Sequence, residues 1–173
     1  MIGSNDAMGS FDINSGLRYK RNNNLPEVPT FEKYKEQLSE ILKSLSGVPK
    51  IAVCTIPPLG ENKDSPANKH VEKFNNLIKL TSRNHNIDLL PVSESLWLSL
   101  DSRTYPLNSD YNPKGIKIMH RIFGGIFHHY IFKKSWNQIA KSKGQWILFD
   151  QIHLNETGAN IVFKIVKNYI SRG

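Results

Sequence analysis

The residues best suited to chemistry are Asp150, Gln151, Ile152 and His153, set between a short apolar run and the last amphipathic segment of the chain. A histidine three positions after an aspartate in a turn can have its Nδ1–H held by the carboxylate, which leaves Nε2 free to take a proton from a hydroxyl nucleophile. Those are the base and the orienter of a hydrolase triad. The plain alternative is an Asp–His hydrogen bond that only shapes the turn. Loops at strand carboxyl ends are where α/β folds place their sites, and this loop has that position.

Gly3-Ser4-Asn5-Asp6, near the start of the sequence, is the second informative spot. An asparagine amide can donate to a developing oxyanion, an interaction worth about 3–4 kcal/mol where it has been measured in a hydrolase. The alternative is a polar turn. Other candidates carry less. Cys54 is the single cysteine, so neither an internal disulfide nor a multi-cysteine zinc site can form. His128 and His129 are adjacent and point to different helix faces, and with His120 they have no carboxylate near in sequence. No metal and no organic cofactor is expected. His70 and His85 are expected to face solvent. Asn155-Glu156-Thr157 fits a glycosylation acceptor, but it adjoins His153 and is read as coincidence.

The elements that must position these residues follow from composition and period. With 173 residues, 39% apolar and 22% charged, the chain suits one globular domain over residues 1–173. No apolar run approaches the ~20 residues that cross a bilayer, and residues 1–6 show neither the basic start nor the apolar block of a signal peptide. The compartment is left open. The net charge of +8 is concentrated: between Tyr111 and Phe149 there is no acid, while Lys114, Lys117, Arg121, Lys133, Lys134, Lys141 and Lys143 all fall there. No helix-turn-helix, zinc-finger or RNP-type signature accompanies this block, so nucleic acid is not the expected partner.

Residues 12–29 read as a long loop, because Asp12, Asn14, Gly16, Asn22, Asn23, Asn24, Pro26 and Pro29 break any period. Phe31, Tyr34, Leu38, Ile41, Leu42 and Leu45 predict a helix with Thr30 as N-cap, ended by Gly47 and Pro49. The run from Ile51 to Ile56 predicts a strand buried on both sides, with Cys54 packed inside and Pro57-Pro58 as its stop. A helix over 66–84 with Val71, Phe74, Ile78 and Thr81 on one face, and a strand within 87–92, follow. Helix, strand, helix, strand is the order of an α/β domain with a parallel sheet. Residues 146–149 are predicted as a short strand, and a helix from about Thr157 buries Ile161, Ile165, Val166, Tyr169 and Ile170.

Between these parts, residues 97–145 form a long basic insertion. Met119, Ile122, Phe123, Ile126, Phe127, Tyr130 and Ile131 fall at helical spacing within it. Gly124-Gly125 would weaken this helix by ~1 kcal/mol per residue, so either something packs closely there or the helix bends. The foremost expectation is that the apolar stripe packs on the domain. The others are a lid over substrate, and a membrane-surface helix across 116–134 with aromatics opposed to lysines.

Taken together, Gly3-x-Asn5-Asp6, the strand ending at Pro57-Pro58, and Asp150-x-x-His153-Leu154-Asn155 followed by Thr157-Gly158-Ala159 resemble the SGNH hydrolases, also called the GDSL esterase/lipase family. The likeness runs from Gly3 to the C-terminus, and 132–139 is similar to a subset of bacterial-type members. The resemblance implies a flavodoxin-like three-layer α/β fold of strand order 2-1-3-4-5. It implies His153 as general base, Asp150 as its orienting carboxylate, Asn5 as an oxyanion-hole donor and Gly3 as a structural residue. It also implies a nucleophilic serine in a Gly-Asp-Ser-Leu-like block and an oxyanion glycine in a second block, both ahead of Gly3. Neither occurs in this chain, nor does a Gly-x-Ser-x-Gly elbow. The expectation is therefore that Met1 is an internal methionine of a longer protein, or a misplaced start, and that the sheet lacks its first strands. The implied substrate is a small-molecule, lipid or carbohydrate ester. The alternative is a non-catalytic binding module that keeps the family's shell.

Overall fold

The computed structural model of the chain describes residues 2–45, 47–106 and 110–172. Met1, and positions 107–109 of the 97–145 segment, lie outside the described residues. The chain divides into two units, Met1–Ile56 with His70–Pro91, and Pro57–Lys69 with Val92–Gly173.

In the first unit, helix α1 (Ser4–Gly9) is followed by α2 (Ile13–Asn22), where the sequence reading placed a loop. The Asp12 carboxylate caps α2 by accepting the Ser15 N–H. Its buried residues are Ser15 and Gly16, while Ile13 and Leu17 face solvent. A Cβ on Gly16 would lie 2.4 Å from the Val28 side chain. The helix therefore packs through small residues, which leave no apolar period to read. Helix α3 (Phe31–Ser44) matches expectation: Thr30 accepts from Lys33 N–H, a cap worth about 1 kcal/mol, and Tyr34, Leu38 and Leu42 are buried.

Strand β1 (Ala52–Cys54) and strand β2 (Asp88–Leu90) pair in parallel, Val53 opposite Leu89. Helix α4 (Pro66–Asn84) lies between them in sequence, which is the long crossover that a parallel pair needs. The α/β alternation is thus present. Val71, Phe74, Ile78 and Thr81 are all buried. The strand is less enclosed than expected: only Val53 of β1 is buried, and Cys54 is partly exposed. Asn75 clasps the end of this strand, accepting the Ile56 N–H at 2.6 Å and donating to its carbonyl at 3.1 Å.

The second unit carries α5 (Val92–Asp101), α6 (Gly115–Tyr130), α7 (Trp136–Ser142) and α8 (Glu156–Ile170). Val92, Leu96 and Leu100 of α5, Ile139 and Ala140 of α7, and Ile147 and Leu148 make its core. Residues 146–149 are not a strand; a single antiparallel bridge joins Leu148 to Leu154. The expected stripe of α8 is only half-buried, with Ile170 exposed and Gly158 its one buried residue. The stripe of α6 is inverted. Met119, Phe123, Ile126, Phe127, Tyr130 and Ile131 are exposed, and Gly125 is the buried residue of that helix. Of the two outcomes expected at the glycine pair, close packing is the one found. A Cβ on Gly125 would sit 3.1 Å from the Phe149 ring, whereas one on Gly124 would meet nothing within 4 Å.

Candidate active site

Asp150 and His153 are brought together. Within the turn 150–153, Asp150 Oδ1 accepts the backbone N–H of Ile152 at 3.0 Å and of His153 at 2.7 Å, and Oδ2 meets His153 Nδ1 at 2.6 Å. The Asp150 side chain is wholly buried, and that of His153 is 55% exposed. The hydrogen bond to Asp150 holds the imidazole pKa above its ordinary value; partial burial opposes this and the carboxylate's charge adds to it. With Nδ1 so engaged, Nε2 is the ring nitrogen left over, and it has no hydrogen-bond partner among the described residues. A histidine made more basic, with one nitrogen held, can serve as a general base.

The turn is fixed from several sides. Gln151 adopts a left-handed conformation (φ 81) and is 1% exposed. Its side chain accepts from the Asn112 N–H at 3.1 Å and from the Arg121 guanidinium, and donates to the Asp110 carbonyl; its own carbonyl accepts from the Gly60 N–H. Lys143 Nζ donates to the Phe149 carbonyl at 3.1 Å. Burial lowers the pKa of Lys143 and of Arg121, and the charge of Asp150 opposes that in both. The Phe149 ring lies near-parallel to His153 at 5.8 Å and tilted against Trp136 at 4.3 Å.

On the far side of the turn, Asn155 caps α8 by accepting from Gly158 N–H, and its amide donates to the Trp146 carbonyl. Gly158 is required there, because a Cβ would fall 2.6 Å from the Ile147 carbonyl oxygen. Glu156 accepts from the N–H groups of Trp136 and Asn137 at the start of α7, and Asn137 accepts from Thr157. Each helix thus caps the other.

One participant has no sequence signal. Glu61, 1% exposed, accepts from three consecutive backbone N–H groups, those of Trp146, Ile147 and Leu148, at 2.7–2.9 Å. This carboxylate does what a neighbouring strand would have done for 146–148. Burial pushes its pKa up, while those N–H bonds and the charge of Arg103 pull it down. Its partners lie 85–87 residues away in sequence, so no local pattern could reveal it.

Gly3 and Asn5 belong to the first unit. Gly3 is buried at φ 103 as the N-cap of α1, and a Cβ there would lie 2.6 Å from the Tyr34 hydroxyl and 2.9 Å from Ile56 Cδ1. Asn5 is exposed; its Oδ1 accepts weakly from Tyr19 at 3.5 Å, and its Nδ2 has no acceptor among the described residues. Burial raises the pKa of Asp6. His70 is not simply solvated as expected: its Nε2 lies 3.1 Å from Ser10 Oγ and its ring meets Phe11 and Phe74 edge-on. Ser10 Oγ also donates to the Asp6 carbonyl, so the contact closes the end of α1. Among the described residues, no group of three or more His, Cys, Asp or Glu is placed to hold a metal.

Compared with known proteins, residues 1–166 match the family model described as GDSL-like Lipase/Acylhydrolase. No curated protein and no solved structure matches the chain at a significant level.

Proposed function

The chain belongs to the GDSL-like lipase/acylhydrolase family, and we propose that it supplies the acid–base pair of a serine ester hydrolase. The observation that carries this is the 2.6 Å bond from His153 Nδ1 to Asp150 Oδ2 with Nε2 left available. In the proposed reaction a serine hydroxyl attacks the ester carbonyl while His153 Nε2 takes its proton. The base then returns that proton to the leaving alcohol, and water repeats the sequence to release the acid. Asp150 keeps the imidazole in the required tautomer and stabilises the imidazolium. Asn5 Nδ2 donates to the tetrahedral oxyanion, and Gly3 shapes the turn that presents it. The substrate is a small-molecule, lipid or carbohydrate ester.

The finer fold belongs to the same proposal: a flavodoxin-like three-layer arrangement in which β1 and β2 are later strands of the sheet. The reaction needs a nucleophilic serine, and no Gly-Asp-Ser block occurs within residues 1–173. A second reading is favoured by one observation, that no Gly-Asp-Ser block occurs in this chain: a binding module that retains the Asp–His turn without turnover. Intact mass of the protein from its native source, before and after a fluorophosphonate that captures activated serines, separates the two. A species heavier than this chain that gains one adduct, lost in His153→Ala, supports the hydrolase. A species of this chain's mass with no adduct overturns it in favour of the module.

A further inference from the structure

The outer face of α6 presents apolar side chains to solvent, and we propose that it docks on an anionic lipid surface. At about 100° per residue, Ile116, Met119, Phe123, Phe127 and Tyr130 fall in one stripe, and Gly125 falls diametrically opposite. The structure bears out both halves of that geometry. Ile116 is 81% exposed, Phe123 60% and Phe127 53%, while Gly125 is buried against Phe149. Arg121, on the inner side, is tied to Gln151. The helix is therefore anchored by its glycine face and turns its apolar face away, and Ile131 and Phe132 continue that surface past its end.

Charge selects the occupant. Lys117 on the flank midway between the stripe and the glycine face, Lys114 just before the helix, and Lys133 and Lys134 after its end are all exposed, and none is ion-paired among the described residues. No acid occurs between Tyr111 and Phe149. A partner with an apolar interior and a negatively charged surface matches both features: aromatic rings enter the headgroup boundary while the lysines reach its phosphates and carboxylates. A second copy of the same face would place lysines against lysines. The proposal does not rest on ester hydrolysis, and lipid binding can be read without turnover.

The test is co-sedimentation of the full chain with phosphatidylcholine vesicles, with and without 30% phosphatidylserine as a roughly physiological upper range. The expected result is binding at least about tenfold stronger with phosphatidylserine. Phe123→Ser with Phe127→Ser should abolish pelleting. Lys133→Ala and Lys134→Ala should each weaken it about fivefold, with circular dichroism and melting midpoint unchanged. Three outcomes overturn the proposal: no pelleting with either vesicle, pelleting indifferent to phosphatidylserine, or pelleting that survives the double Phe change. A concentration-dependent dimer abolished by Phe123→Ser with Phe127→Ser would overturn it too, by making the face a contact between copies.

Discussion

Replacing Glu61 by glutamine keeps the shape of a buried side chain while removing its charge and turning one of two acceptor oxygens into a donor. Both carboxylate oxygens accept from Trp146 N–H, and one also accepts from Ile147 and Leu148. Hydrogen bonds to a charged group are worth about 1.5–3 kcal/mol against about 0.5–1.5 for neutral ones. Glutamine thus weakens two or three bonds by about 1 kcal/mol each and sets an N–H₂ against an N–H. A neutral amide is less costly to bury than a carboxylate, which offsets part of this. The expected net loss is about 2–4 kcal/mol, a large share of the ~5–15 kcal/mol typical of a domain. Urea unfolding followed by tryptophan fluorescence is well placed to read it, because Trp97, Trp136 and Trp146 all lie in the second unit. Histidine NMR gives a second readout: with 146–148 loosened, the Asp150–His153 bond should weaken and the His153 pKa should fall. A stability change below about 0.5 kcal/mol together with an unmoved His153 titration would refute the reasoning.

The two adjacent glycines of α6 should respond in opposite senses. Gly124→Ala, opening into free space, should stabilise by about 0.5–1 kcal/mol, and Gly125→Ala, against the Phe149 ring, should destabilise by about 1–3 kcal/mol; thermal melting of both variants checks the pair. The raised pKa of His153 means that the folded state holds its proton more tightly than the unfolded state does. Its stabilising contribution is therefore complete below the ordinary histidine value near 6.5 and is lost as pH rises through the folded value. Asp150→Asn should flatten that dependence and bring the His153 NMR titration back toward the ordinary value, and an unchanged profile would count against the pair. Gly3→Ala should cost about 1–3 kcal/mol, from a left-handed conformation that alanine disfavours and a methyl driven toward the Tyr34 hydroxyl; a melting midpoint equal to the parent's would contradict it.

The parts legible in the sequence are those whose information is local. Thr30 and the i, i+3, i+4 pattern after it define α3, because capping and amphipathic burial act within a few residues. The alternation of helices with short apolar runs announces a parallel pair. Asp150 and His153, three apart, meet because a turn of that length brings their side chains within reach. What the tertiary structure alone decides is long-range. The apolar stripe of α6 looks destined for a core, yet the glycine contact with Phe149 turns the helix the other way, since close approach to a ring at one face excludes the opposite face from the same neighbour. The run 146–149 looks like a strand by its apolar content, but the N–H groups of Trp146, Ile147 and Leu148 are taken by Glu61 and that of Phe149 by the His153 carbonyl. Helix α2 has no apolar period because small residues make its contact. Period reports which side chains are greasy; which surface they find depends on partners tens of residues away, and those only the folded chain brings together.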